Sequence, residues 1–142
     1  MVGDMDRVTE MDLRVRFTDV DSQRVVHNAR YLDYFAEVRL EHLRRVAGVE
    51  STGESGRPNF TVAEVTCRYK APLRFRDELR LRCWTSEIRN RSFLLAYDIV
   101  KQESNEVVAE GSTAQVWLGE DQKAASLPDE VRNALQSSLQ PL

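Results

Sequence analysis

The chain has 142 residues, of which 42% are hydrophobic and 30% charged, and its net charge at pH 7 is -3. This length is typical of one domain with its own core, so we interpret residues 1–142 as a single domain. The acidic total argues against a general nucleic-acid-binding protein, whose surface would be basic. No apolar run reaches the roughly 18–20 residues that span a bilayer, and the polar start does not resemble a signal peptide. We therefore expect a cytoplasmic protein without a nucleic-acid or membrane partner.

The N-terminal third predicts a leader, a strand, a loop and a long helix. Residues 1–10 are interpreted as a flexible leader, and the alternation of apolar and polar residues that follows predicts a strand over 12–17. The next apolar residues recur at three- to four-residue steps around most of a helix predicted over 28–46. Gly48 is well placed to end this helix. Residues 50–59 have the composition of a loop.

The remainder predicts a run of antiparallel strands and a short C-terminal helix. One face of each strand is apolar: Ala63, Val65, Cys67 and Tyr69; then Leu79, Leu81 and Cys83; then Phe93, Leu95, Tyr97 and Ile99. A turn over 103–106 leads to a last strand over 107–118, and Ser126 is predicted to cap the final helix. One long apolar helix among hairpin-connected strands predicts an α+β fold, in which a curled antiparallel sheet wraps the helix.

The cysteines and histidines give no indication of a metal site. Cys67 and Cys83 fall at apolar positions of predicted strands, and we expect free thiols rather than a disulfide. Together with His27 and His42 they lack the close pair spacing of zinc ligands. We expect neither a metal nor a cofactor.

Two carboxylates in the loop between strand and helix are the first candidates for chemistry. Asp19 and Asp21 precede the predicted helix start at Asn28, where unpaired backbone N–H groups and the positive end of the dipole lie. Such residues are common helix caps. They also suit a site in which a carboxylate acts on a carbonyl whose oxygen those N–H groups hold. The spacing alone slightly favours the helix cap.

This segment resembles the signature of hotdog-fold acyl-CoA thioesterases of the 4-hydroxybenzoyl-CoA thioesterase family. The positions that carry the resemblance are Phe17, Asp19, Asp21, Val25, Val26 and Tyr31. It continues through 69–79, 89–93 and 111–117. One departure is Arg24, which stands where most relatives have a glycine. Glycine there signals a positive φ or a close approach to a ligand, so Arg24 implies either a different loop or an added side chain at the mouth of the site.

The resemblance implies a hotdog fold and thioester hydrolysis without a cofactor. Asp21 would be the nucleophile or general base, the Asn28 backbone N–H would polarise the thioester carbonyl, and Asp19 would be structural. Substrate contacts would come from His27 and Tyr31 and, towards coenzyme A phosphates, from Arg89, Arg91 and Ser92. That last hairpin is equally typical of a solvated charged turn. The resemblance also implies an acyl-CoA or acyl-carrier-protein substrate and a homodimer or homotetramer.

Four alternatives compete with this interpretation. Glu64 is a rival carboxylate, although we expect it to be solvated or paired with an arginine. Ser22, His27 and Asp21 together suggest a triad, but one loop rarely supplies all three groups and no GxSxG motif is present. A non-catalytic acyl-CoA-binding protein would use Asp21 only as a cap. A hotdog hydratase ranks last, because its Asp/His arrangement is absent from the sequence.

Overall fold

The computed structural model describes residues 7–140, which form one five-stranded antiparallel sheet, a long helix and a short helix. In chain order the elements are β1 (Thr9–Arg14), a 3₁₀ turn (Phe17–Asp19), α1 (Asn28–Ala47), β2 (Phe60–Tyr69), β3 (Glu78–Ile88), β4 (Ser92–Lys101), β5 (Val107–Trp117) and α2 (Asp129–Gln136). The strand order is β1-β3-β4-β5-β2, so β1 and β2 are the sheet edges. The α+β layout predicted from the sequence is confirmed.

The central strands follow the predicted alternation closely. The inward residues of β3 are fully buried, as are those of β4. Register shifts interrupt the pairing of β2 with β5, of β3 with β4 and of β4 with β5. Because such bulges bend and twist a strand, they help the sheet to curve towards α1.

Helix α1 packs one face against this sheet and ends as predicted. Gly48 is its C-cap with φ +63°, a left-handed conformation that glycine adopts without steric cost. Phe35 stacks on Tyr97 with 4.4 Å between ring centroids, and it lies so close to Gly111 that a β-carbon there would meet its ring at 2.7 Å. The predicted apolar surface around most of the helix is only partly buried, since Leu32 and Leu40 are 38% and 45% exposed.

The start of the chain differs from the prediction. β1 runs from Thr9 to Arg14 instead of 12–17, so the last two residues of the predicted leader belong to the sheet. Residues 1–6 lie outside the described part. The strand stops early because the Asp19 carboxylate accepts a hydrogen bond from the Arg16 amide at 3.0 Å and turns the chain into the 3₁₀ turn. Phe17 is consequently 73% exposed.

The C-terminal helix begins later than predicted. Its N-cap is Pro128 and not Ser126. The Leu127 amide donates to the Asn90 carbonyl at 3.0 Å, which ties the preceding segment to the β3–β4 hairpin. Leu135 then anchors α2 in the core.

Both cysteines are free thiols, as expected, although Cys67 is only half-buried. Within residues 7–140, no helix is long and apolar enough to cross a membrane. The same range contains no group of three or more potential metal-ligating side chains.

Candidate active site

The loop before α1 is a small hairpin that presents Asp21 at its turn. Val20 and Val26 form a β-bridge, and the Asp21 amide donates to the Val25 carbonyl at 2.9 Å. The Arg24 amide returns to the Asp21 carbonyl at 2.9 Å, which closes a tight turn. The two carboxylates of the loop, separated by one residue, therefore occupy different environments.

The backbone conformation of Arg24 distinguishes between a different loop and an added side chain, the two possibilities raised by its departure from the family pattern. Its φ is +67°, the left-handed conformation for which a glycine would be expected. The loop therefore has the positive φ that a glycine would favour, and the arginine side chain is an addition to it. A left-handed conformation costs a residue with a β-carbon about 1–2 kcal/mol.

Asp19 is the structural carboxylate of the pair. It is 1% exposed, and its oxygens accept from the Arg16 amide, the Arg16 guanidinium and the Tyr34 hydroxyl. Burial acts to raise the pKa of Asp19, but these hydrogen bonds outweigh it and hold the pKa below its usual value. Its carbonyl also accepts from the His27 amide at 3.0 Å, so Asp19 fixes the entry to α1.

Asp21 is exposed and only partly engaged. Its Oδ1 accepts from the Gln23 amide at 2.8 Å, which orients the carboxylate. Its Oδ2 has no hydrogen-bond partner among the residues described. A carboxylate that is oriented through one oxygen and free at the other can accept a proton or attack a substrate.

The start of α1 offers unoccupied amides beside this loop. The two amides before the helix are used, because Val26 donates to the Leu73 carbonyl at 2.8 Å and His27 donates to Asp19. His27 is the N-cap, and its side chain makes no capping hydrogen bond. Over residues 7–140 no carbonyl accepts from the Asn28 amide. This amide and the helix dipole together form a donor for developing negative charge.

A cavity of about 280 Å³ adjoins the helix start, bordered by Val25, Asn28, Tyr31, Tyr69 and Pro72. The rings of Tyr31 and Tyr69 meet edge to face with centroids 4.9 Å apart. The Tyr69 hydroxyl donates to the Asn28 carbonyl at 3.1 Å, which connects the end of β2 to the helix. Burial raises the pKa of Tyr31 to about 12.

The other predicted site residues are not brought to this cavity within one chain. Arg89 and Arg91 lie in the β3–β4 hairpin and Ser92 begins β4. The Trp117 amide donates to the Arg91 carbonyl, and Trp117 pairs with Phe60, at the end of β2 away from Tyr69. Those two ends are about 30 Å apart along the strand. Arg89 forms an ion pair with Glu87 at 2.6 Å.

The alternative catalytic groups are not assembled either. His27 is exposed, and no hydrogen bond in the described part of the chain joins its side chain to Asp21 or Ser22. The triad is therefore not formed. Glu64 is exposed and alternates with Val65, Cys67 and Tyr69, so it faces away from the helix start.

A larger cavity of about 500 Å³ lies on the outer face of the sheet, between residues such as Arg68, Trp84, Asp98 and Glu110. Burial raises the pKa of Asp98 there. The outer cavity has no helix N-terminus and no part of the Asp21 loop, so its size does not make it the site of carbonyl chemistry.

Sequence reasoning missed the role of Tyr69 and of the turn over 70–73. Tyr69, Lys70, Ala71 and Pro72 were recognised as part of the resemblance, but nothing in their sequence indicates that they border the helix start. Their placement depends on the antiparallel pairing of β2 with β5 and on the hydrogen bond from Val26 to Leu73. Both are contacts between residues distant in sequence.

Comparison with known proteins agrees with this geometry. The family model described as the thioesterase-like superfamily matches residues 15–135. An acyl-CoA thioesterase of Haemophilus influenzae is 28% identical over 92% of this chain and 96% of its own length. A long-chain acyl-CoA thioesterase of Escherichia coli is 25% identical over 89% of this chain and 96% of its own. The structure of a gentisyl-coenzyme A thioesterase is 28% identical, with a TM-score of 0.74, over 87% of this chain and 98% of that one. The hotdog fold expected from the sequence is confirmed.

Proposed function

The chain belongs to the thioesterase-like superfamily, and from that membership we propose that it hydrolyses acyl-coenzyme A thioesters to the free acid and coenzyme A. One observation supports the proposal most directly. Asp21 is exposed, with one carboxylate oxygen hydrogen-bonded and the other free, and its loop is hydrogen-bonded to the start of α1, where the Asn28 amide is unoccupied. Thioester hydrolysis needs both groups, a base or nucleophile for attack and a donor for the oxygen.

Asp21 and Asn28 have different roles in the proposed reaction. The thioester oxygen accepts from the Asn28 amide, which stabilises the negative charge that develops on attack. As a general base, Asp21 takes a proton from a water that attacks the carbonyl carbon. As a nucleophile, it forms an acyl-carboxylate anhydride that water then opens. Both routes break the carbon–sulfur bond, and the thiolate of coenzyme A leaves and takes up a proton.

The remaining substrate contacts surround these two groups. Tyr31 borders the cavity, and His27 at the N-cap flanks the attacked carbon. Arg89, Arg91 and Ser92 bind phosphates of coenzyme A only when the hairpin of a second copy approaches, because within one chain they lie at the other end of the sheet. The relatives described above are named for coenzyme A thioesters, which supports acyl-CoA as the proposed substrate.

A homodimer is part of the proposal. β2 is a sheet edge with unpaired backbone groups, and edge strands readily pair with a second copy. Four large apolar side chains are 38–45% exposed along β2 and the neighbouring strip of α1: Leu32, Leu40, Val65 and Tyr69. Antiparallel pairing of two β2 strands would cover this strip and bring each hairpin towards the other copy's helix start.

The test is release of free thiol from short, long and aromatic acyl-CoAs by the wild type and by Asp21→Asn. We expect kcat to fall about 10³-fold, the size of a general-base contribution, with the oligomer unchanged. Asp12→Asn is the matched control, since Asp12 is an exposed carboxylate on β1. Turnover that survives in Asp21→Asn but not in Glu64→Gln would contradict the assignment. Binding of acyl-CoA without turnover by the wild type would favour the non-catalytic alternative.

A further inference from the structure

The first turn of α1 lacks the side chains that usually stabilise a helix start. His27 is the N-cap, and its side chain makes no capping hydrogen bond. The first turn contains no acidic residue either. Because its amides have no acceptor within the helix, a first turn without a capping side chain frays readily. A donor that must stay aligned with a substrate therefore needs support from elsewhere in the fold.

Backbone hydrogen bonds hold the chain up to the residue before Asn28. The Val26 amide donates to the Leu73 carbonyl at 2.8 Å. The His27 amide donates to the Asp19 carbonyl at 3.0 Å. These two bonds fix the approach to the helix, but they do not reach the C-terminal side of Asn28.

Tyr69 supplies the contact on that side. Its hydroxyl donates to the Asn28 carbonyl at 3.1 Å, and it is the only side chain in the described part of the chain that hydrogen-bonds to the backbone of 28–32. A donor on the carbonyl holds the first turn and leaves the Asn28 amide free. A capping carboxylate would instead place an acceptor and a negative charge beside the amide that the thioester oxygen uses.

Tyr69 is itself held in place from two directions. It is the last residue of β2, and the amides of Lys70 and Ala71 both donate to the Val108 carbonyl of β5, at 2.8 and 3.2 Å. Its ring meets the buried ring of Tyr31 edge to face, with centroids 4.9 Å apart. The sheet and the helix therefore both fix the direction in which the hydroxyl points.

We propose that Tyr69 is a positioning residue, whose hydroxyl holds Asn28 so that its amide stays aligned with the thioester oxygen. The inference rests on the proposed function, in which that amide stabilises the charge that develops on the oxygen. Misalignment of such a donor weakens the transition state more than the bound substrate, because the charge is largest in the transition state. The hydroxyl of Tyr69 is therefore expected to act on kcat and not on KM.

The test is Tyr69→Phe, which removes the hydroxyl and keeps the ring against Tyr31. We expect kcat on acyl-CoA to fall about tenfold while KM changes less than about twofold. Ser137→Ala is the matched control, because it also removes a hydroxyl that donates to a helix carbonyl, that of Ala134 at 2.6 Å, in α2. The control is expected to keep the wild-type kcat.

A spectroscopic measurement separates positioning from a general loss of stability. An acyl-CoA is bound to Asp21→Asn, with and without Tyr69→Phe, and the stretching frequency of its thioester carbonyl is recorded by infrared difference spectroscopy. A hydrogen bond to the carbonyl lowers this frequency, so we expect the frequency to rise when the hydroxyl of Tyr69 is removed.

An unchanged carbonyl frequency, an effect on KM alone, or an equal loss of kcat in Ser137→Ala would overturn the inference. So would a Tyr69→Phe variant that is less stable but has the wild-type kcat, since the hydroxyl would then have only a structural role. If the wild type hydrolyses no thioester, the proposed function has failed. Hydrogen exchange of the Arg30 amide, which donates to the His27 carbonyl, then decides whether the hydroxyl holds the first turn. Faster exchange in Tyr69→Phe supports that role, and unchanged exchange refutes it.

Discussion

The two ends of α1 carry similar polar residues, but the fold encloses those of one end and exposes those of the other. At the C-terminal end, His42 is fully buried between Thr9 and Thr85, with its ring nitrogens 2.7 and 3.1 Å from their hydroxyls. Thr85 also contacts Ser138 at 2.7 Å. At the N-terminal end, Asp21 is exposed and the Asn28 amide has no partner among the described residues.

Because of this difference, we expect the C-terminal end of α1 to contribute to stability and the N-terminal end to contribute to the reaction. The His42 cluster joins α1, β1, β3 and the C-terminal segment, and the Gln140 amide closes it by donating to the Thr85 carbonyl at 2.8 Å. Partners that are satisfied and buried hold a fold together. Donors and acceptors that are oriented but unoccupied remain available to a substrate. Substitutions at the two ends should therefore affect different measurements.

The largest effect on stability is expected from His42→Leu. The substitution leaves hydroxyls of Thr9 and Thr85 without their ring partner inside the core, so we expect the free energy of unfolding to fall by about 3 kcal/mol. Urea denaturation measures it. His27→Leu, at the exposed N-cap of the same helix, is the matched control and should cost almost nothing. Equal losses for the two variants would remove the distinction between the ends.

The acid sensitivity of the fold provides a second test of the buried end. Burial lowers the pKa of His42 to about 4, whereas in the unfolded chain it is near 6.5. Between these values only the unfolded chain binds the proton, so stability is complete above pH 6.5 and declines as the pH falls towards 4. We expect a loss of about 2 kcal/mol between pH 7 and pH 5.

His42→Leu should abolish most of this pH dependence, because the titrating group is removed. His27→Leu should keep it. Urea unfolding of both variants and the wild type at pH 7, 6 and 5 checks the prediction. A slope that persists in His42→Leu would show that another group is responsible.

The smallest effects concern the left-handed residues at the two ends. Gly48→Ala should destabilise by about 1 kcal/mol, a cost of backbone conformation alone because a β-carbon there meets nothing within 4 Å. Arg24→Gly should do the reverse and stabilise by about 0.5 kcal/mol, since strain is relieved while the unfolded chain gains entropy. Thermal unfolding resolves the two signs. Destabilisation by Arg24→Gly would mean that the arginine side chain supports the loop.

The sequence predicted best where burial is periodic. The inward faces of β3 and β4 were predicted correctly, because their alternation reflects one buried side. The same alternation continues to Phe17, and the predicted β1 was therefore too long at its C-terminal end. The hydrogen bond from the Arg16 amide to the Asp19 carboxylate ends the strand, but it does not alter the alternation of apolar and polar residues. Gly48 was recognisable as a helix end from its residue type alone.

The candidate site was predictable only through resemblance. Asp21 and Asn28 were identified because the loop matches a family signature, whereas spacing alone slightly favoured the cap interpretation. The border formed by Tyr69 and Pro72 depends on long-range strand pairing, and the buried contacts of His42 depend on four separate elements. Neither is encoded in a local pattern.

The most direct test of the account compares Asp19→Asn with Asp21→Asn, two identical changes separated by one residue. Both kcat on acyl-CoA and the free energy of unfolding are measured for each variant. The account predicts that Asp21→Asn loses about 10³-fold in kcat with unchanged stability, and that Asp19→Asn loses about 2 kcal/mol of stability because its buried hydrogen bonds are weakened. An active Asp21→Asn enzyme, or an Asp21→Asn variant as destabilised as Asp19→Asn, would contradict it.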